Sequence, residues 1–130
     1  MISLLSFAKA DISAAKSAIK EIEDKSGNEK AMKGIAAYHA QQAIEKITKH
    51  LIYKAVPDVN PSKMYTHKIY DLIDIAKSYN IVIPSEIDKN SVMYSDWEAT
   101  GRYDLHFVVK ITSVKKAVSL AEKWIESIEQ

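Results

Sequence analysis

Apolar side chains recur at intervals of three and four residues along most of this chain, and this pattern indicates amphipathic α-helices. The first helix is predicted from about Ser3 to Asp24, before Ser26-Gly27-Asn28, because Gly and Asn accept the left-handed conformation that ends a helix. A second helix is predicted over Glu29 to Ala55, before Pro57. The predicted core positions of these two helices are Leu4, Leu5, Ala8, Ile12, Ala15, Ile19 and Ile22, then Ile35, Ala36, Ala43, Ile47 and Leu51.

The rest of the chain predicts three more helices separated by short connectors. Residues 56–65 contain two prolines and predict a loop, after which Thr66 is expected to cap a third helix. A fourth helix is predicted from Ser85 to Gly101, and Thr112 or Ser113 is expected to cap the last one. The predicted core positions are Ile69, Leu72, Ile73 and Ala76; Ile87, Val92, Met93 and Trp97; and Val114, Ala117, Val118, Ala121, Trp124, Ile125 and Ile128.

Five helices joined by short loops predict an all-α fold, an antiparallel up-down four-helix bundle with an additional fifth helix, formed by residues 1–130 as one domain. The composition, 47% apolar and 27% charged, is that of a soluble globular protein. A formal net charge of +1 gives no general attraction to nucleic acid or membrane, so a polyanion site would have to be a local cluster. Cysteine is absent, and neither a membrane span nor a signal peptide is evident, so we expect a cytoplasmic protein.

Polar side chains crowd the centre of the second predicted helix. His39, Gln42 and Lys46 share one face of it, with Glu45 beside them. Such a row suits a ligand groove or a subunit contact. The alternative is a boundary strip, in which long side chains cover the core and keep their polar ends in water. Periodicity alone favours that alternative.

Arg102 and His106 are the sharpest candidates for catalysis. Metal-independent RNA cleavage needs a base for the ribose hydroxyl proton, which histidine provides, and a cation for the phosphorane, which arginine provides. A spacing of four residues places both side chains on one face if this segment is helical. The alternative is a surface arginine and a loop histidine without a joint role. Under the ribonuclease hypothesis, His106→Ala abolishes RNA cleavage and leaves the fold intact.

Several other side chains have two interpretations. His67 lies at the predicted start of the third helix. It could be a site residue or simply a surface residue next to the helix cap. Tyr94, Trp97 and Tyr103 could stack on bases or belong to the core and its rim. No metal-binding motif, phosphate-binding glycine loop or nucleophile elbow is present, so neither a metal nor a cofactor is expected.

Motifs in a consistent order resemble the HEPN family of helical domains. Residues 38–46, followed by Lys49, resemble the family's second-helix signature, and Thr66-His67 followed by Leu72 resembles its entry to the third helix. Tyr94 and then Arg102-Tyr103 resemble the Tyr…Arg-Tyr segment after the fourth helix. The remaining match falls in the last helix, at Ala117, Ala121 and Trp124, so the resemblance extends from about Ser3 to Ile128.

The resemblance implies a helical bundle and a homodimer with a polar cleft at or beside its interface. Many family members are ribonucleases with an arginine, a polar residue and a histidine in that cleft, and these correspond here to Arg102, Asp104 and His106. Only Tyr103, Asp104 and Leu105 separate the arginine from the histidine, which is fewer residues than is usual in the family. Other members are inactive binding modules or partners of a separately encoded minimal nucleotidyltransferase.

Three hypotheses follow. The first is a dimeric binding module for a nucleotide, RNA or a nucleotidyltransferase partner, in a toxin–antitoxin or defence-type system. The second is a metal-independent ribonuclease toxin that uses Arg102 and His106, and the third is a purely structural dimerisation domain. The ligand-binding residues expected under the first hypothesis are His39, Gln42, Glu45, Lys46, His67, Tyr94 and Tyr103.

Overall fold

Helices connected by short loops form the structure in the residues that the computed structural model describes, which are 3–66, 68–98 and 109–130. Within these ranges there is no β-strand, so the predicted all-α class is confirmed. The helices are α1 (Leu4–Glu23), α2 (Glu29–Ala55), a 3₁₀ turn (Pro61–Met64), α3 (Ile69–Ser78), α4 (Ser85–Lys89), α5 (Ser91–Ser95) and α6 (Ile111–Glu129). None of these described helices is long and apolar enough to cross a membrane.

The first two helices have the predicted bounds because both begin at side-chain caps. The Ser3 hydroxyl accepts the Ser6 N–H at 3.1 Å, and the Asn28 side-chain oxygen Oδ1 accepts the Ala31 N–H at 3.0 Å. Each cap satisfies a backbone N–H that has no partner within its helix. Between the helices Gly27 has a φ of 96°, in the left-handed region that glycine adopts without a steric penalty.

Helix α2 is the central element of the fold. It contacts α1, α3, α5 and α6, and Ile44, Ile47 and Ile52 on its inner side are fully buried. Helices α1 and α2 pack against each other, and both bury alanines, whose small side chains allow a close approach of neighbouring backbones. The fully buried alanines are Ala8 and Ala15 on α1 and Ala36, Ala37, Ala40 and Ala43 on α2.

Three ion pairs connect α1 with α6. They are Lys9 with Glu129 at 2.6 Å, Lys16 with Glu122 at 2.5 Å and Glu23 with Lys115 at 3.1 Å. Successive pairs advance by seven residues on α1 and retreat by seven on α6, so the two helices run antiparallel in a heptad-like register. In the third pair the acidic residue is on α1 and the basic residue is on α6, the reverse of the first two pairs. A register shifted by one heptad would therefore place two like charges opposite each other, which disfavours it.

The start of α3 differs from the prediction. The Thr66 hydroxyl accepts the Lys68 N–H at 3.1 Å, one position before the helix, and α3 begins only at Ile69. The Ile69 N–H donates to Ser95 Oγ at 2.8 Å, so a residue distant in sequence satisfies the helix start. Local capping rules do not detect such a tertiary partner.

The predicted fourth helix over 85–101 is wrong in its extent. Two short helices, α4 and α5, are separated at Asn90, whose side-chain amide donates to the Glu86 carbonyl oxygen at 2.7 Å. Asparagine side chains compete in this way with backbone hydrogen bonds and interrupt helices. The buried positions of this segment are Ile87, Ser91 and Tyr94, and Val92 is 62% exposed although it was predicted to be in the core.

Two further expectations need correction. Helix α6 begins at Ile111 without a side-chain cap, one or two residues before the predicted caps Thr112 and Ser113. Ile35, which was assigned to the core, is 36% exposed. The predicted core positions of α6 from Val114 to Ile125 are all buried. The arrangement as four main helices and a fifth remains a prediction.

Candidate functional site

A buried carboxylate joins α1 to the polar row on α2. Asp11 is only 8% exposed, and its Oδ1 lies 2.8 Å from His39 Nδ1. Its second oxygen, Oδ2, accepts a hydrogen bond from the Lys46 ammonium. Because an ionised carboxylate can only accept, this geometry assigns the Nδ1 proton to His39. One anion on α1 therefore orients two cationic or polar side chains on α2.

Helix geometry explains why a single carboxylate reaches both partners. His39 and Lys46 are seven residues apart, which is about two helical turns, so they project from the same face of α2. Asp11 reaches both of them from α1, where Ala8 and Ala15, one turn to either side of it, are fully buried. The packing of α1 against α2 thus creates the site.

The contact with Asp11 gives His39 a defined chemical role. Fixing the proton on Nδ1 leaves Nε2 as the nitrogen with a free lone pair, and the side chain is 34% exposed. Within the described residues, no hydrogen bond involves Nε2. The Tyr38 ring lies 5.2 Å from the imidazole, between ring centroids. The neutral imidazole of His39 can therefore accept a hydrogen bond from a ligand at Nε2.

The remainder of the row lies along α2 beside this pair. The Gln42 amide donates to Gln41 Oε1 at 2.7 Å, and Gln41 is fully buried whereas Gln42 is partly exposed. Glu45 is only 4% exposed, with Lys49 Nζ at 3.8 Å from its Oε1. The row thus has a buried polar layer of Gln41 and Glu45 beneath the more exposed layer that a ligand can reach.

His50 continues the partly exposed side of α2 beyond the row. Burial, and secondly the positive charge of Lys54, lowers the pKa of His50 below its ordinary value of 6.5. This histidine therefore remains neutral at pH values where a fully solvated histidine begins to take up a proton.

Among the predicted ligand-binding residues, His39, Gln42, Glu45 and Lys46 all lie on α2, where His39 and Lys46 share Asp11 as a partner, whereas Tyr94 lies on α5. Tyr94 lies in the core at 1% exposure, in an edge-on contact with Trp97 whose ring centroid is 5.2 Å away. Burial and the nearby negative charge of Glu86 raise the pKa of the Tyr94 hydroxyl. Because the Tyr94 ring is buried, it has no free face on which a base could stack.

Five predicted site residues lie outside the described part of the chain: Arg102, Tyr103, Asp104, His106 and His67. In the described ranges, no group of three or more His, Cys, Asp or Glu side chains could hold a metal ion. The site that the described residues form is therefore a set of hydrogen-bonding and charged groups on α1 and α2.

Asp11 is the residue that the sequence prediction missed. Its position carried a signal, because it lies three residues after Ala8 and four before Ala15, within the apolar face of α1. A carboxylate on a buried face requires a partner, since isolated buried charges are strongly disfavoured. The partners, His39 and Lys46, were identified without the residue that holds them.

Comparison with known proteins gives one match that spans almost the whole chain. The family model described as HEPN domain matches residues 3–130. No curated protein and no solved structure shows significant similarity to the chain.

Proposed function

Because this chain belongs to the HEPN domain family, we propose that it is a nucleotide- or RNA-binding module in which the α2 row contacts the ligand. The observation that carries the proposal is the single buried carboxylate of Asp11, which orients both His39 and Lys46. A buried carboxylate is costly unless it is paired, so a carboxylate that orients two partly exposed polar side chains favours a functional role for them.

The chemistry of the row suits a nucleotide better than a long polyanion. Lys46 is paired with Asp11, and Lys49 lies within ion-pair distance of Glu45, so the row has little net positive charge. Hydrogen-bonding groups at His39 Nε2 and Gln42 are suited to base edges or ribose hydroxyls. A small ligand, or a short unpaired segment of RNA, fits such a site better than double-stranded nucleic acid does.

We further propose that the module is a homodimer. HEPN domains commonly dimerise. Phe7 is 50% exposed one turn before Asp11 on α1, and Ile35 is 36% exposed one turn before His39 on α2. Exposed apolar side chains beside a polar site favour association there, because the contact removes their surface from water. The dimer would act with a separately encoded minimal nucleotidyltransferase in a toxin–antitoxin or defence-type system.

Calorimetric titration with AMP, UMP and a short uridine oligonucleotide tests the ligand part of the proposal. His39→Gln removes the imidazole, and Lys20→Gln, at an exposed position of α1, is the matched control. We expect His39→Gln to weaken binding by about tenfold or more, the loss of one good hydrogen bond to a ligand, and Lys20→Gln to leave it unchanged. Equal affinities in all three proteins would remove the row from the binding site.

The oligomeric part has its own test. Phe7→Asp places a charge at the proposed contact, and Val82→Asp does so at the connector before α4, where Val82 is 86% exposed. Sedimentation equilibrium should give a dimer for the wild type and Val82→Asp, and a monomer for Phe7→Asp. A monomeric wild-type protein, or a Phe7→Asp variant that remains dimeric, would contradict the proposed contact.

A further inference from the structure

The loop between α2 and α3 holds a tyrosine ring in solvent on a firmly anchored turn. Val59 and Met64 are 6% and 3% exposed and attach the loop to the core at two points. Between them the Asn60 side-chain oxygen accepts the Ser62 N–H at 3.0 Å and the Ser62 hydroxyl at 2.9 Å. The segment is therefore held by both packing and hydrogen bonds.

Tyr65 is the central residue of an inverse γ-turn. Its φ of −80° and ψ of 72° match that conformation, and the Thr66 N–H donates to the Met64 carbonyl oxygen at 2.9 Å. With Met64 directed into the core, the turn directs the next side chain outward. The backbone conformation thus determines the exposure of the Tyr65 ring.

The exposure of this ring distinguishes Tyr65 from the other tyrosines in the described ranges. It is 88% exposed, whereas Tyr38, Tyr53, Tyr70, Tyr79 and Tyr94 are partly or fully buried. An aromatic side chain loses a large favourable burial energy when it remains in water. The exposed Tyr65 ring is therefore available for contact with a ligand.

Two lysines lie close to Tyr65 along the chain, two residues before it and three residues after it. Lys63 and Lys68 are exposed, and neither forms a salt bridge with any residue in the described ranges. Lys68 Nζ lies 5.9 Å from the centroid of the Tyr70 ring. The acidic residues nearest in sequence are Asp58 and Asp71, and Asp71 accepts a hydrogen bond from the Thr66 hydroxyl at 3.3 Å. The charge of the two lysines therefore remains available to an anionic ligand.

From this geometry we infer that Tyr65, Lys63 and Lys68 form a stacking platform for an unpaired base of single-stranded RNA. The ring offers a π-face to a base, and the exposed ammonium groups of two lysines within three positions of Tyr65 are available to phosphates of the same strand. A duplex hides the faces of its bases, so it cannot use the platform. The inference rests on the proposed function in that it assigns the same ligand class a second contact, on a different part of the surface.

Fluorescence anisotropy with a short labelled uridine oligonucleotide tests the platform. Tyr65→Ala should weaken binding by about 5- to 150-fold, the range that corresponds to about 1–3 kcal/mol per stacked base. Tyr65→Phe keeps the ring and should bind within about twofold of the wild type. Val82→Ala, at a similarly exposed apolar position, is the matched control and should also bind like the wild type.

Salt dependence provides a second measurement that the loss of a ring does not affect. Lys63→Gln and Lys68→Gln should each reduce the slope of log affinity against log salt by about 0.7, the value for one phosphate contact on a single strand. Tyr65→Ala should leave the slope unchanged. A hairpin duplex of matched length should bind the wild type more weakly than the single strand does.

The outcomes separate this inference from the proposed function. Loss of oligonucleotide affinity in His39→Gln but not in Tyr65→Ala overturns the platform and leaves the α2 row in place. The reverse result supports the platform and removes the row. A wild-type protein that does not bind the single strand, or that binds the duplex equally well, overturns the platform.

Discussion

Replacing Asp11 with asparagine removes the charge shared by His39 and Lys46 while it preserves the size of the side chain. In the folded protein Asp11 is 8% exposed and accepts a hydrogen bond from each partner. The asparagine amide has one acceptor oxygen, so it can keep one of these contacts and must place its N–H₂ group opposite the other. The substitution therefore tests whether the carboxylate holds the two helices together as the geometry implies.

The magnitude of the effect follows from the two contacts. Each hydrogen bond to a charged group contributes about 1.5–3 kcal/mol, and a surviving neutral bond contributes about 0.5–1.5 kcal/mol. The loss is reduced because the side chains of His39 and Lys46 are 34% and 24% exposed, so water can solvate the released cation. We expect Asp11→Asn to lower the free energy of unfolding by about 1–3 kcal/mol.

Urea denaturation followed by far-UV circular dichroism measures this change. Asp74→Asn on the exposed side of α3 is the matched control and should change the free energy of unfolding by less than about 0.5 kcal/mol. Combining Asp11→Asn with Lys46→Met should cost less than the sum of the single substitutions, by about 0.5–3 kcal/mol, because the two groups interact. A change in Asp11→Asn as small as that of the control would refute the reasoning.

Three further substitutions test other parts of the structure. Trp124→Ala should lower the free energy of unfolding by about 3–5 kcal/mol, since the indole is 5% exposed in the core; near-wild-type urea denaturation would exclude it from the core. Lys16→Glu should lower the free energy of unfolding by about 0.2–1 kcal/mol, because it breaks the ion pair with Glu122. The double variant Lys16→Glu/Glu122→Lys should recover most of that loss in urea denaturation, and no recovery would argue against the ion pair. A hydrogen bond from Lys116 and the charge of that lysine hold the pKa of the Glu86 carboxyl below its ordinary value. The stability that this carboxyl contributes is therefore present above its unfolded-state pKa and is lost as the pH falls through its folded-state pKa. Carbon-13 NMR titration should show this pKa rising in Lys116→Met, and an unchanged pKa would show that Lys116 is not the cause.

The fold was predictable where local signals and burial agree. Helices α1 and α2 begin at Asn or Ser caps and carry long apolar stripes, so both were predicted to within a residue. The segment after α3 was not, because the side chain of Asn90 interrupts the helix through a hydrogen bond that periodicity does not reveal. The start of α3 was missed for a related reason, since its partner, Ser95, is 26 residues away in sequence.

The candidate site was predictable in part. The spacing of His39, Gln42 and Lys46 places them on one face of α2, and the structure has them there. The sequence could not reveal that Asp11 joins two of them, because that contact depends on how closely α1 and α2 pack. Tyr94 was assigned to the ligand site because aromatic rings stack on bases, but the same ring is equally suited to the core in which it lies.

The central claim is that Asp11 orients His39 so that its Nε2 meets the ligand. Nitrogen-15 NMR of the histidine side chains during titration with a short uridine oligonucleotide tests it most directly. We predict that the Nε2 signal of His39 shifts saturably in the wild type and that Asp11→Asn, although folded, loses most of this shift and of the affinity. Saturable binding that leaves the His39 signals unmoved, or that persists at full strength in Asp11→Asn, would contradict the account.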